Sequence, residues 1–268
     1  MDNRPVLFLD SGVGGIPYCR DFHKRNPREA IRYLADRENF PYGPRSKEDI
    51  ASILASLTER LIKIANPKMA VLACNTASIS ALAPLRQKFP QLPFVGTVPA
   101  VKPAANACKS GKVGVLGTER TIEDIRSLNL ADASRCEIFG IAAPELVEFI
   151  EQRFDEAGKK EKKDLVKKYI SLFRAEGADV LVLGCTHFLY LLKEFRREAF
   201  PAIKIFDSLD GITKRIEYLL DENGGLLRAG KDAKPQNCFL LTGEGPPDSI
   251  WKNRAQALGF NINLLHEL

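Results

Sequence analysis

Two cysteines 111 positions apart stand in matching settings, Cys74 in Val71-Leu72-Ala73-Cys74-Asn75-Thr76 and Cys185 in Val182-Leu183-Gly184-Cys185-Thr186-His187. Each follows a short apolar run, the pattern of a buried strand, and precedes a polar pair able to open a helix. A thiol at a helix N-terminus meets the positive end of the helix dipole and unpaired N–H groups, which favours the thiolate. One such thiol is a candidate nucleophile. Two in like settings point to a pair of acid/base groups that address one substrate from opposite sides. An unperturbed thiol is only about 3% ionised at pH 7, so each needs a neighbouring acid or base.

Asp10 closes the first apolar run and opens Asp10-Ser11-Gly12-Val13-Gly14-Gly15. It either caps the turn or, facing a cleft, accepts a proton or orients a thiol. The glycines permit a tight turn whose N–H groups can hold a carboxylate or phosphate. A dinucleotide site is the rival reading, with Asp36 placed as a ribose-binding acid. The third glycine of G-x-G-x-x-G is missing, however, and no P-loop motif occurs. His187 either fills a first helical turn or shifts the protonation of Cys185. Asn75, Thr76 and Thr186 can donate to a carboxylate or accept from an ammonium group. In Gly117-Thr118-Glu119-Arg120-Thr121, hydroxyl capping and substrate contact are both open to Thr118 and Thr121. Phe40-Pro41-Tyr42-Gly43-Pro44 is a loop, either a plain link or a carrier of backbone donors and the Tyr42 hydroxyl to a cleft mouth.

These residues need strand ends to hold them. Strand-like runs fall at Val6–Leu9, Ile31–Leu34, Ala70–Ala73, Phe94–Val95, Val113–Leu116, Cys136–Ile141, Val180–Leu183 and Ile203–Phe206. Helical segments lie between them. Ser46 is an N-cap candidate ahead of a run of Ile and Leu that Asn66-Pro67 stops, and Gly177 ends another helix. Alternation of β and α implies an α/β fold with mainly parallel sheet and ligands at the carboxyl ends of strands. Motif order suggests two similar, mainly parallel α/β lobes, with the active site in the cleft between them. The expected division is residues 1–98 plus 208–268, carrying Cys74, and residues 99–207, carrying Cys185.

Composition narrows the class. The net charge of +5 is modest, and the lysine-rich segment Lys159–Lys168 interleaves acids, which reads as a solvated helix face and no nucleic-acid patch. No signal peptide and no membrane-length apolar run is evident, so a cytoplasmic protein with reduced thiols is expected. Cys19, Cys108, Cys136 and Cys238 lack the strand-end setting and read as buried or incidental. No metal-ligand spacing occurs.

Taken together, DSGVGG at 10–15, FPYG at 40–43, CNTAS at 74–78, GTERT at 117–121, GCTH at 184–187 and FLLTGE at 239–244 resemble the glutamate racemases. These belong to the cofactor-independent aspartate/glutamate racemase superfamily. Ser78 and His187 favour the glutamate branch over the aspartate branch, whose motifs usually read CNTAH and GCTE. Phe188-Leu189 departs from the family's usual Tyr-Pro, Ala35-Asp36 from its Gly-Asp, and Ile16-Pro17-Tyr18 from its leucine-led helix start. The resemblance implies an isomerase in which Cys185 deprotonates L-glutamate and Cys74 protonates the carbanion, with roles reversed for D-glutamate. Asp10 would assist Cys74 and His187 would assist Cys185, with Glu151 in support. Ser11, Tyr42, Gly43, Asn75, Thr76, Thr118, Thr121 and Thr186 would bind the substrate. It further implies no cofactor and no metal, glutamate as small-molecule partner, a homodimer, D-glutamate supply to peptidoglycan synthesis, and a contact with DNA gyrase known among some members. Aspartate racemisation, or a non-catalytic amino-acid-binding role, is the alternative.

Overall fold

The computed structural model describes residues 1–127, 136–221 and 225–267. Most of its strands are short apolar runs, each too short for a helix. Elements run as β1 (Val6–Asp10), α1 (Ile16–Arg25), β2 (Ile31–Ala35), α2 (Lys47–Ala65), β3 (Met69–Leu72), α3 (Asn75–Lys88) and β4 (Phe94–Gly96). Next come α4 (Val101–Ala107), β5 (Lys112–Gly117), α5 (Glu119–Ser127), β6 (Glu137–Ala142), α6 (Pro144–Gln152) and α7 (Lys159–Ala175). The order closes with β7 (Val180–Leu183), α8 (Leu192–Ala199), β8 (Lys204–Phe206), α9 (Leu209–Leu220), β9 (Cys238–Leu241), α10 (Ser249–Leu258) and β10 (Asn261–Leu264).

The chain divides into two units, Met1–Thr97 with Leu209–Leu268, and Val98–Ser208. In the first, six parallel strands run in the order β10-β9-β2-β1-β3-β4. All five residues of β1 are buried, as expected of a strand covered on both faces. Leu7, Leu9, Leu72, Leu54, Leu61 and Leu85 share one core, so α2 and α3 cover one face of this sheet. The signals read for α2 hold: Ser46 Oγ accepts from Asp49 N, and Asn66 takes the left-handed conformation that ends the helix.

In the second unit, four parallel strands run in the order β6-β5-β7-β8. Val113, Val115, Val180 and Val182 pack with Ala104, Ile122 and Ile125. The lysine-rich segment forms α7, whose apolar residues Val166, Ile170 and Phe173 are buried while Lys163 and Lys168 pair with Glu198 and Glu145. It is a solvated face, as its interleaved acids suggest. Gly177, at φ +78°, follows α7 as the glycine signal implied.

The two sheets share one connectivity. In each, the first strand (β1 or β5) lies between the second and third, and the fourth lies beyond the third. The hydrogen bonds match residue for residue. Ala73 N donates to Leu9 O at 2.7 Å, and Gly184 N to Leu116 O at 2.6 Å. Cys74 and Cys185, the next residues, therefore occupy equivalent positions in their own sheets.

The returning segment 209–268 adds β9 to the free edge of β2. A buried ion pair pins it: Lys68 Nζ lies 2.6 Å from Glu29 Oε2, and the two side chains are 0% and 3% exposed. Lys68 also donates to the Asp2 and Leu227 carbonyls, and Glu29 Oε1 accepts from Ala229 N.

Candidate functional site

In the first unit, Cys74 leaves β3 in extended conformation and forms the N-cap of α3. Its carbonyl accepts from Ser78 N at 2.9 Å, so the first turn of α3 is built directly on the cysteine. Ser78 Oγ donates to Leu72 O and accepts from Thr97 N, tying that turn to the ends of β3 and β4. Asp10 ends the neighbouring strand β1, is 1% exposed, and accepts from Gly12 N at 2.7 Å through Oδ1. It thus caps its own turn, on the strand adjacent to the one that leads into Cys74. Gly15 seats the glycine-rich turn. A Cβ there would fall 2.6 Å from Ala73 Cβ, so only glycine lets the turn lie against the residue preceding Cys74. Ser11, Asn75 and Thr76 are buried at the same strand ends.

Tyr42 differs from the reading of its hydroxyl as presented to a cleft mouth. It is 1% exposed and donates to Asp36 Oδ2 at 2.6 Å. Burial raises its phenol's pKa well above the ordinary value, and the Asp36 carboxylate beside it, with Cys74 and Asp10 nearby, adds to the shift. The hydroxyl therefore stays protonated, spent on Asp36, and the ring is what Tyr42 brings to the surroundings of Cys74. Gly43 comes next, in the turn that Arg45 N closes onto Tyr42 O.

Asp36 itself is fully buried and takes hydrogen bonds from Tyr42, from Thr242 Oγ1 at 2.7 Å and from Asn39 Nδ2. A carboxylate so fully engaged is not a ribose-binding acid, and the dinucleotide reading loses its second residue. Asp36, Asn39 and Thr242 join β2, the Phe40–Pro44 loop and the end of β9, a role that sequence reading missed. The one signal was that DRENFPYG and LTGE each put polar side chains immediately after an apolar run.

In the second unit, Cys185 leaves β7 in the same extended conformation, φ −130° and ψ 136° against −132° and 125° for Cys74. The polar pair after it opens a 3-10 turn, Thr186–Leu191, ahead of α8. The tighter turn brings His187 back beside the cysteine, with Nδ1 3.6 Å from Cys185 Sγ. On its other side His187 Nε2 meets Glu151 Oε1 at 2.6 Å. The His187 and Glu151 side chains are only 6% and 10% exposed. Burial opposes a charge on this ring, yet the hydrogen bonds and charges of Cys185 and Glu151 outweigh it. They hold the imidazolium well above its ordinary range.

Thr118 and Thr121 sit after β5. Thr118 Oγ1 accepts from Thr121 N at 3.2 Å, the cap geometry, and donates to Thr121 Oγ1 at 3.0 Å. Thr121 and Thr186 are buried, and Thr118 is half-buried. Glu151 had no local sequence signal beyond the resemblance, because its partner lies 36 residues on.

The equivalence of the sheets exposes a difference in chemistry. Leu9 and Leu116 correspond, so Asp10 corresponds to Gly117 and Ser11 to Thr118. Asp10 ends the strand adjacent to the one that leads into Cys74. At Cys185 that place is a glycine, and the titratable neighbour is His187 from the turn after the cysteine, held by Glu151 of α6. Among the described residues no group of His, Cys, Asp and Glu side chains suits a metal ion, and no helix is long and apolar enough to cross a membrane. None of the six cysteines is in a disulfide, and Cys19 is wholly buried.

Residues 19–215 match the model of the Asp/Glu/hydantoin racemase family. A glutamate racemase of Roseiflexus sp. (strain RS-1) is 38% identical over 223 residues, 82% of this chain and 81% of that protein. The structure of Escherichia coli glutamate racemase in complex with L-glutamate and the activator UDP-MurNAc-Ala superposes with a TM-score of 0.83 at 30% identity, covering 97% of both chains. That of Francisella tularensis glutamate racemase in complex with D-glutamate gives 0.79 at 25% identity, covering 100% of both.

Proposed function

The chain belongs to the Asp/Glu/hydantoin racemase family and racemises glutamate, and from that premise we propose that Cys74 and Cys185 are its two acid/base groups. Inverting an α-carbon requires a proton to leave one face and another to arrive on the opposite face. One cysteine is then a thiolate while the other is a thiol, and each turnover exchanges their states. Cys185 takes the α-proton of L-glutamate and Cys74 delivers one to form D-glutamate; the reverse direction swaps them. Asp10 manages the proton of Cys74. His187, braced by Glu151, manages that of Cys185.

The observation that carries this reading is the matched pair of cysteines at equivalent strand ends, Cys185 with His187 3.6 Å away and Cys74 one strand over from Asp10. Ser11, Asn75, Thr76, Thr118, Thr121 and Thr186, with the backbone at Tyr42 and Gly43, supply donors for the carboxylates and acceptors for the ammonium group. No cofactor enters the scheme, so positioned hydrogen-bond donors and exclusion of water must stabilise the carbanion. We assign the reaction to the cytoplasm, where thiols stay reduced, with D-glutamate feeding peptidoglycan synthesis and so cell shape. A homodimer and a gyrase contact belong to the same reading, to be decided by light scattering and by a supercoiling assay.

Proton NMR of L-glutamate with the enzyme in D2O, followed by chiral analysis, tests the chemistry. Loss of the α-proton signal with D-glutamate appearing is expected, and Cys74→Ala or Cys185→Ala should each abolish racemisation in a folded protein. Full activity in either variant would remove that cysteine from the scheme. Exchange with aspartate alone would move the assignment to the neighbouring racemase.

A further inference from the structure

The 3-10 turn after Cys185 repeats every three residues, so His187 and Tyr190 share one face of it. Glu151 and Phe154 have the same spacing, at the last turn of α6 and just past its end. The two pairs meet side by side. His187 Nε2 contacts Glu151 Oε1 at 2.6 Å, and the Tyr190 ring meets that of Phe154 edge-on, centroids 5.1 Å apart and planes at 75°. Phe149 packs on Phe154 from within α6 at 6.4 Å, and Lys162 of α7 sets its ammonium 3.9 Å from the centre of the Phe154 ring.

Two facts argue that this cluster does more than fill space. Phe154, Tyr190 and Lys162 are all half-buried, and their ring contacts add to what burial contributes. Edge-on aromatic and cation–π contacts are directional, and they fix where a segment sits. Glu151, moreover, lies at the C-terminal end of α6, where the helix dipole repels a carboxylate. Directly beyond it, Glu156 N and Ala157 N close a turn on Arg153 O, with Phe154 inside it.

We infer that Phe154 and Tyr190, with Lys162 over the Phe154 ring, form a positioning device that keeps Glu151 in register with His187 and so governs proton transfer at Cys185. These residues touch neither substrate nor sulfur in this scheme; they act through Glu151 and His187. The inference rests on the assignment of Cys185 as an acid/base group.

Phe154→Leu keeps apolar bulk and loses the ring; Phe154→Tyr keeps both. The chain has three histidines, His23, His187 and His266, so imidazole titrations resolve by NMR in the intact enzyme. Phe154→Leu should move the His187 midpoint down by about 0.4–1 pH unit, with His23 and His266 unmoved. It should lower kcat with L-glutamate about 2–10-fold. Phe154→Tyr should behave as wild type in both respects. Tyr190→Leu makes the same test from the other segment if Phe154→Leu does not fold. An unmoved His187 midpoint in the folded variants overturns the inference, and so does a Phe154→Tyr enzyme as impaired as Phe154→Leu. A wild-type enzyme that does not racemise glutamate, or a fully active Cys185→Ala, instead refutes the assignment of Cys185, and with it the claim on proton transfer. The His187 titration would still report whether the contact sets the imidazole.

Discussion

Glu151→Gln removes one charge from the second half of the site and changes almost nothing else in shape. The carboxylate lies 2.6 Å from His187 Nε2 in a nearly dry setting, with side chains 10% and 6% exposed. A hydrogen bond to a charged group in such a place is worth about 1.5–3 kcal/mol. That corresponds to roughly 1–2 pH units in the titration of His187, or a slowing of about 10–150-fold if the whole interaction is expressed in the transition state. Rates alone do not locate the fault. The enantiomers have equal free energies, so kcat/KM must fall equally in both directions. Isotope effects do locate it. In the proposed scheme the deuteron of α-deuterated L-glutamate passes to Cys185, the impaired side, and the isotope effect on kcat/KM should rise. With α-deuterated D-glutamate it passes to Cys74, and the effect should fall toward unity. Stability offers a second check with a definite sign. His187 titrates above its ordinary 6.5 in the folded protein, so its contact with Glu151 contributes fully below that value. The contribution fades as pH rises through the elevated midpoint. The gap in melting temperature between wild type and variant should therefore narrow on the alkaline side of neutrality. Unchanged isotope effects, or a rise with D-glutamate, would refute the pairing of Glu151 with Cys185.

Two more outcomes are expected in the first unit. Gly15→Ala forces a methyl to within 2.6 Å of Ala73 Cβ, beside the backbone that carries Cys74. Activity should fall at least about 10-fold, as is typical when reacting groups are displaced, with most of the melting temperature retained; a steady-state assay beside a thermal melt checks this. Lys68→Met strands the Glu29 carboxylate, 3% exposed, without its cation. A loss of about 3–5 kcal/mol in urea unfolding is expected, and KM should be unchanged in the protein that remains folded.

The strand ends that carry chemistry were legible because each is a short apolar run broken by a polar or glycine residue. β1, β3, β5 and β7 stand close to where those runs place them, and Ser46 and Gly177 cap α2 and α7 by local backbone chemistry that needs no tertiary partner. β9 and β10 were not among the expected strands. Asn261–Leu264 alternates polar and apolar at a sheet edge, and Cys238–Leu241 is a short apolar run whose pairing with β2 and β10 local pattern does not express. The network on Asp36 was hidden for a related reason. Tyr42 and Thr242 are 200 residues apart and meet only through one buried carboxylate. The 3-10 turn at Thr186–Leu191 was hidden too, since spacings of three occur in both kinds of helix; yet that turn is what brings His187 to Cys185 and Tyr190 to Phe154.

The first unit is written in two pieces, with the whole of residues 98–208 between them. A chain leaving the ribosome delivers β1 to β4 first, then the complete second unit, and only afterwards β9. The 144 residues from Thr97 to Leu241 take roughly 7–30 s to make at about 5–20 residues per second. Throughout that interval the outer edge of β2, Arg32 to Ala35, has no strand beside it, and Lys68 and Glu29 lack the Leu227 and Ala229 groups that complete their contacts. An open parallel edge of this kind is a template for wrong pairing. Substitutions that weaken β9 should therefore act on the yield of newly made enzyme, through aggregation before the last 60 residues arrive, and leave the turnover of each molecule that does fold close to normal.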